Sequence, residues 1–485
     1  MRRAIPLLLA GGVLASCAVG PAYRRPAVAT PAATRGQSGP AEAASLADEA
    51  WWDVFHDQAL RSLIAEALHN GYDVRLAAWR VEEARALAGI ARAQFFPEIQ
   101  GSAGWSRSRA SFFTSVNPPA PVDLADVNLG ASWELDLWGR IRRSSQVALA
   151  SYLATEEAHR GVMLSLVADV AAGYFQLRLL DDQLAIARRA ASAFGETRDL
   201  FNRRLAGGTA SALETAAAEA SLASTKANIP NLERAIAAQE NQLGLLLGRE
   251  PGEIPRGAAL DDQYLPPQVP AGVPSDLLER RPDLRQAEQE LTAANAEVGL
   301  ATANMFPTIS LTGAFGGVAP QVSELFGRGR TWSVGGGLLT PVVQAGRLKH
   351  LRRAAVAQWE QAKTQYEQSV TGAFAEVSSA LVAYGKLADV ETEQARAVAA
   401  DREAARLSNM RYVAGLSDYL EVLQAQQQLY PAENALALTR FERLAALVEL
   451  YKALGGGWKL SDRDFTAPPP APGGAASGTG APGGA

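Results

Sequence analysis

The sequence predicts a mainly α-helical chain with a smaller membrane-spanning β portion, built as a duplicated unit of two strands followed by one long helical hairpin. Three observations predict it. Residues 73–248 and 283–455 read as two copies of one unit of about 175 residues, and such self-similarity decides the architecture. Each copy holds two short segments in which apolar and polar residues alternate. Each then continues into a long proline-free stretch rich in Ala, Leu, Glu, Gln and Arg, which are strong helix formers.

The duplication is held in register. Asp73, Arg75, Gly89, Ile90, Phe96 and Pro97 match Asp283, Arg285, Gly299, Leu300, Phe306 and Pro307 at an offset of 210. From Gly139-Arg140, which match Gly346-Arg347, the offset is 207. At that value Leu200, Asn202, Arg204, Gly208, Leu213 and Glu214 match Leu407, Asn409, Arg411, Gly415, Leu420 and Glu421. A single change of three residues reads as a difference in loop length inside a repeated fold.

The N-terminus carries a secretion signal. Arg2-Arg3 precede an apolar run from Ala4 to Val13 that is too short to span a bilayer, followed by Leu14-Ala15-Ser16-Cys17. That ending resembles a bacterial lipobox, which makes Cys17 the lipidated first residue of the mature chain, and Ala18 in place of aspartate favours sorting to the outer membrane. Cys17 is the only cysteine, so no intramolecular disulfide forms. A Pro, Ala and Ser rich linker follows, and the chain closes on a Pro, Gly and Ala rich tail.

The alternating segments are expected at about 97–107, 127–137, 307–317 and 331–341. In the clearest of them Val127, Leu129, Ala131, Trp133, Leu135 and Leu137 alternate with Asn128, Gly130, Ser132, Glu134 and Asp136, the period of two that separates the faces of a strand. Their lengths approach the 9 to 11 residues of a transmembrane strand. Four strands ~4.8 Å apart and tilted ~40° close at a radius of only ~4 Å, whereas twelve close at ~12 Å and leave an aqueous bore. Open strand edges are not tolerated in lipid, so three copies sharing one barrel are the simplest closure. Glu134 and Asp136, on the polar face, are expected either as acidic rings in the lumen or as members of a merely solvated face. Trp105, Trp133, Trp138 and Trp332 are expected near the membrane boundary, with Trp138 beside the strand-to-helix junction. The loops 110–126 and 318–330 are expected to face outside.

The helical hairpins are expected at about 141–247 and 345–454. One helix over 141–205 is ~100 Å long at ~1.5 Å per residue, beyond an ordinary globular domain. The most apolar stretch, Met163 to Leu180, is interrupted by Asp169, Gln176 and Arg178 and reads as a buried bundle helix. Gly207-Gly208-Thr209 and Gly415-Leu416-Ser417 are helix stop-and-restart signals and mark the two hairpin tips. Pro230 and Pro431 lie inside the returning helices, where kinks or breaks are expected.

These residues resemble the TolC/OprM-type outer-membrane efflux proteins, most closely the NodT-like lipoproteins. The resemblance rests on Cys17 with Val19-Gly20-Pro21-Ala22-Tyr23, on Trp51-Trp52 and Phe55, and on Asp136-Leu137-Trp138-Gly139-Arg140. Gly248-Arg249-Glu250-Pro251, the run from Leu277 to Leu284, Phe306-Pro307-Thr308-Ile309 and the run from Ala453 to Trp458 complete it. It implies a homotrimer with a twelve-stranded barrel in the outer membrane and an α-helical tunnel across the periplasm. It also implies passive conduction of substrates from an inner-membrane pump through a periplasmic adaptor that meets the tips at Gly207, Gly208, Thr209, Gly415, Leu416 and Ser417. By the same resemblance the periplasmic gate falls on Leu420, with Gln424 where relatives carry an acid; Asp418 and Glu421 either supply negative charge nearby or complement the dipole of the helix they open.

The resulting organisation is a signal peptide at 1–16, a lipidated linker at 17–52, a first repeat at 53–270, a second at 271–457 and a disordered tail at 458–485. No enzyme is expected: His56, His69, His159 and His350 have no ligand-like spacing, and no phosphate-cradling glycine motif follows an apolar strand. No cofactor or metal is expected beyond the acyl lipid (palmitate) on Cys17. A net charge of −5 gives no basic footprint for nucleic acid. The alternative reading is a lipid-anchored periplasmic adaptor of an efflux or secretion system, although adaptors carry one hairpin and this chain alternates two with two strand pairs. Drug, metal, solvent and larger cargoes all fit the same conduit.

Overall fold

The structure, a computed structural model, describes residues 18–37, 45–109, 120–457, 459 and 461. The signal segment, Cys17, most of the tail and part of the first expected outer loop lie outside the described residues. Helices α1 (Gln58–Asn70) and α2 (Tyr72–Ala93) lead into strands β1 (Glu98–Ser108) and β2 (Val122–Leu135), then α3 (Arg140–Ala206) and α4 (Ala212–Leu246). The second copy repeats the order with α5 (Pro282–Ala303), β3 (Thr308–Ala319), β4 (Arg330–Leu339), α6 (Arg347–Val413) and α7 (Tyr419–Ala453). Helices α3 and α6 both have 67 residues, and α4 and α7 both have 35, so the repeat is preserved element by element.

The repeat also fixes where the backbone must turn left-handed. Gly139, Gly208 and Gly248 have φ of 78°, 73° and 71°, and their counterparts Gly346, Gly415 and Gly455 have 84°, 72° and 76°. At the first tip Thr209 N donates to Arg204 O at 2.8 Å and Gly208 N to Leu205 O at 3.0 Å. At the second tip Leu416 N donates to Arg411 O at 2.8 Å and Gly415 N to Tyr412 O at 3.0 Å. This paired bonding closes a helix around a left-handed residue and satisfies its last carbonyls. The return helix α4 restarts through a capping box, with Ser211 Oγ accepting from Glu214 N and Glu214 accepting from Ser211 N.

Two expectations are corrected here. Of the kinks or breaks expected at Pro230 and Pro431, no break occurs: α4 and α7 run on through both prolines. Both prolines are exposed, as are Lys226 and Gln427 one turn before them, so the carbonyl left without an amide donor is beside water. The strands also reach further than expected at the loop side: β2 begins at Val122 and β3 ends at Ala319, so part of each expected outer loop is sheet.

The chain divides into two compact units. The first comprises residues up to Ala27, Arg80–Glu156 and Gln286–Gln368. Its sheet is antiparallel throughout, in the order β1-β2-β3-β4. The segment after Ala18 lies along α5, where Tyr23 Oη donates to Glu288 at 3.1 Å and Asn295 Nδ2 donates to Pro21 O at 3.3 Å. The burial of Tyr23 and the Glu288 carboxylate beside it push that phenol up, so the hydroxyl stays a donor.

The second unit comprises Val28–Trp79, Glu157–Arg285 and the chain from Ser369. Its core is aliphatic and aromatic, with Leu60, Ile64, Leu177, Leu243, Leu247 and Leu450 around Trp51, Tyr174 and Tyr451. Trp51 and Trp52 meet edge to face at 5.2 Å, and Phe55 lies 6.3 Å from both Phe175 and Tyr451. The apolar stretch of α3 is buried in this core through Met163, Val167, Val170, Ala171 and Leu177, as a bundle helix requires.

Candidate functional site

The sheet is the first functional element, and its register explains its faces. Leu129 pairs with both Gly101 and Phe315, Ala131 with Ile99 and Gly313, and Leu311 with Trp133 and Gly336. These apolar residues of all four strands therefore share one face, where Leu129 and Leu311 each lie between a glycine and an aromatic side chain. Ile99, Trp105, Phe315, Trp332, Val334 and Leu338 on that face are exposed within the chain. The other face carries the polar, uncharged Gln100, Ser102, Asn128, Ser132, Ser310, Thr312 and Ser333, with the acids Glu98, Asp126 and Glu134 towards its ends. Strands β1 and β4 are each paired on one side only and exposed along their whole length. One face for lipid, one for water and two open edges are what an arc of a closed membrane barrel presents.

The junction between sheet and helix is braced by residues of the first copy. Trp138 stacks on Phe306 at 5.0 Å and donates its indole N–H to Pro307 O at 2.7 Å. Trp133 donates to Phe95 O at 3.0 Å. Here the two acids expected as lumen rings are found in other employment. Asp136 lies beyond the end of β2 and accepts from Ile141 N at 3.0 Å and Arg142 N at 2.8 Å, capping α3. Glu134 takes a two-pronged hydrogen bond from Arg140, both arms at 2.7 Å, and this bond is the leading reason the guanidinium pKa is raised. Glu134 remains on the polar face of β2, opposite Ser310, while Asp136 lies past the end of the strand. Ala18, next after Cys17, lies against Gly139, and Val19 is fixed by hydrogen bonds from its N–H to Trp138 O and to its carbonyl from Arg143 Nε, both 3.1 Å.

The tips form the second element. Phe201, Tyr412 and Tyr419 cluster there, with Phe201 4.3 Å from Tyr419 and Tyr412 5.5 Å from Tyr419. Arg204 of the first hairpin lies over the Tyr412 ring of the second, 4.6 Å from its centre, and hydrogen-bonds its hydroxyl. Burial pushes the Tyr412 phenol up, against the opposing pull of Arg204. Around Gly207, Gly208, Thr209, Gly415 and Leu416 the surface is exposed and includes Leu213, Met410 and Val413. Sequence reasoning missed the Arg204 and Tyr412 pair. The available signal was a departure from the repeat, since Tyr412 stands where the first copy has Leu205.

Just above the second tip, α7 shows two opposite faces. Tyr419, Val422 and Leu423 are buried against Phe201, Ala218 and Leu222, while Leu420 is 59% exposed and Gln424, one turn on, is exposed beside it. Asp418 occupies the N-cap position without a side-chain capping bond, and Glu421 pairs with Arg411 at 3.4 Å across the hairpin. Leu420 and Gln424 thus share a face left uncovered by the chain's own packing, and Ser417 sits half-buried below them.

A sheet with lipid and water faces, open at both edges, in a chain whose α3 and α6 are each ~100 Å long, defines a subunit of an outer-membrane channel. Comparison with known proteins gives the family: the chain belongs to the outer membrane efflux proteins, which match residues 63–249 and 273–456, one segment in each copy of the repeat. It is similar to the solvent efflux pump outer membrane protein SrpC of Pseudomonas putida, 36% identical over 464 residues that cover 94% of this chain and 97% of that one. It is 33% identical to the cation efflux system protein CusC of Escherichia coli O6:H1 over 452 residues, 92% of this chain and 97% of that one. Among solved structures the outer-membrane channel OprN superposes with a TM-score of 0.85 at 31% identity, covering 92% of this chain and all of that one. The open-state MtrE channel of Neisseria gonorrhoeae gives 0.82 at 32% identity, covering 91% and 99%. The protein is an efflux channel component of the outer membrane that extends into the periplasm, and it conducts without catalysing. The adaptor reading is set aside, because the relatives are outer-membrane channel components.

Proposed function

We propose that three copies form a passive conduit that receives substrate from an inner-membrane pump through a periplasmic adaptor and releases it outside the cell. The observation that carries this is the sheet with aligned apolar faces and two open edges. The middle of the water face is polar and uncharged, while Glu98, Asp126 and Glu134 lie towards its ends, and substrate choice is left to the pump. The tips at Gly207, Gly208, Thr209, Gly415, Leu416 and Ser417 receive the adaptor, using the exposed Leu213, Val413 and Leu416 as apolar contacts. Leu420 forms the constriction, with Gln424 above it in place of an acid. Asp418 and Glu421 give the mouth its negative charge, Glu421 being partly neutralised by Arg411. Glu134 and Asp136 serve the barrel-to-helix junction.

The lipid on Cys17 joins the same picture. The residue that follows it is fixed against Gly139 at the end of the barrel, so the acyl chains enter the leaflet next to the strands. Domain boundaries follow the repeat, with the linker at 17–52 and the repeats at 53–270 and 271–457.

The test is electrophoresis of detergent-extracted protein with and without heating, followed by bilayer recording. A trimer that collapses to monomer on heating and conducts as single channels supports the reading. A monomer that stays in solution once the anchor is removed, with no conductance, overturns it.

A further inference from the structure

The apolar face of the sheet changes character at its outer end, the end away from α3. Trp105 pairs with Ala125 and, through it, with Ala319, while Trp332 pairs with Phe315, so both tryptophans stand on the apolar face. Arg107 lies two residues further out on β1 and Arg330 two residues further out on β4, and a step of two keeps each on that same face. The rows of the two tryptophans meet β3 four residues apart, at Ala319 and Phe315. Those of the two arginines meet β2 four residues apart, at Asp123 and Val127. A sheet tilted ~40° with strands ~4.8 Å apart advances by roughly four residues over three strand spacings. The outer ends of the strands step the same way, from Ser108 on β1 to Arg330 on β4, which falls in the row of Ala103. The two tryptophans therefore share one height in the membrane, and the two arginines share the next height outward. Arginine on a lipid-facing position is costly at the bilayer midplane and tolerated at its boundary, just outside an aromatic belt.

The loop between β3 and β4 is laid back over this face. Leu325 is buried against Ala125 and Ala319, with Val127 beside them, and Gly317 gives the Leu325 carbonyl its room. The same loop leaves Val322 and Phe326 largely exposed. Around this rim Arg107, Arg109, Arg328 and Arg330 outnumber the acids Asp123 and Glu324, while Asp126 belongs to the water face. Arg107 lies 3.8 Å from Asp123, beyond a hydrogen bond, and Arg328 and Arg330 form no ion pair among the described residues.

We propose that this rim binds a phosphate-bearing lipid of the outer leaflet, with Arg107 and Arg330 taking phosphates and the acyl chains lying along Trp105, Trp332, Val322 and Phe326. The proposal rests on the membrane-channel reading above and adds a lipid partner to it. A guanidinium matches phosphate through paired N–H donors, so cationic charge alone would attract free phosphate as readily. The apolar surface immediately inward of both arginines selects the lipid instead.

The test uses the full-length trimer, extracted and stripped of lipid in detergent. It is mixed with diphosphoryl lipid A, with lipid A from which both phosphates have been removed, or with inorganic phosphate. Lipid bound per trimer is read by native mass spectrometry, and the temperature of trimer dissociation by electrophoresis. Diphosphoryl lipid A is expected to raise that temperature by several degrees, and the other two additions to leave it near its starting value. R107Q/R330Q is expected to bind severalfold less lipid and to lose most of the gain, R107K/R330K to lose less, and R396A, far along α6, to match wild type. If R107Q/R330Q yields no trimer, R330Q, which leaves Arg107 and Asp123 intact, decides by the same readings. Equal lipid on wild type and on the glutamine variant overturns the site and leaves the channel reading standing. An equal gain from the phosphate-free lipid or from inorganic phosphate overturns it too, as an apolar surface alone or a free-anion site. Wild type that never migrates as a heat-sensitive trimer overturns the channel reading itself.

Discussion

Arg204 lies over the ring of Tyr412, 4.6 Å from its centre, and so ties the last turn of α3 to the last turn of α6. The pair joins the two hairpins at their tips, and Tyr412 belongs to the cluster of Phe201 and Tyr419. A cation over an aromatic ring contributes ~0.5–2 kcal/mol, depending on how dry it is. Arg204→Ala is expected to loosen the tips and admit a large hydrophilic antibiotic that the outer membrane normally excludes. Tyr412→Phe keeps the ring and loses the hydroxyl, so its leak is expected to be smaller. Inhibition zones of cells carrying each variant measure this, and zones equal to wild type mean that the pair does not hold the tips.

Leu420 and Leu423 separate the proposed constriction from the core beneath it. Leu420 is largely exposed, so Leu420→Ser is expected to raise single-channel conductance while costing little stability. Leu423 is buried in the tip cluster, and Leu423→Ser is expected to cost ~2–4 kcal/mol without a matching change in the open pore. Conductance and melting temperature measured on both variants decide it. If Leu420→Ser conducts like wild type, the constriction lies elsewhere on α7.

How much of this was legible in the sequence depends on whether the information was local or shared. The tips at Gly208 and Gly415 were legible because only glycine tolerates the left-handed turn there, and the repeat shows it twice. The sheet faces were legible because period two is a property of the strand itself. Asp136 was misplaced, since alternation continues in letters past Leu135 while the chain has already turned to cap α3. Pro230 and Pro431 were overread, because one absent hydrogen bond on a solvent-facing turn does not end a helix held by neighbours. The Arg204 and Tyr412 pair was invisible because its partners are 208 residues apart and belong to different copies.

Trp138 joins the two copies at the foot of the barrel. Its ring stacks on Phe306 and its N–H is taken by Pro307 O, a carbonyl at the start of β3. Trp138→Phe preserves the stack and removes one hydrogen bond, a loss of about 1 kcal/mol. Trp138→Ala removes both and leaves a cavity, a loss of ~3–5 kcal/mol. Trimer recovery after graded heating is expected to fall in that order. Equal recovery for both variants means that the indole N–H, not the ring, does the joining.

Asp57 is the strongest polar node in the helical unit. Its carboxylate accepts from Ala59 N at 2.8 Å and Leu60 N at 3.2 Å as the N-cap of α1. It also accepts from Tyr174 Oη at 2.9 Å, Ala258 N at 2.9 Å and Gln263 Nε2 at 2.8 Å, binding three separate segments at a buried point. Burial pushes the Tyr174 phenol up, so that hydroxyl remains a donor to the carboxylate. Asp57→Ala strands several of these donors, for which ~3 kcal/mol or more is the expected loss. The corresponding fall in melting temperature is ~6–12 °C for a unit of this size. Asp57→Asn keeps one acceptor oxygen and is expected to lose less, because its amide faces donors on the other side. Helical circular dichroism followed through thermal unfolding measures both. A melting temperature unchanged in Asp57→Ala would show that the surrounding apolar core holds the three segments without the carboxylate.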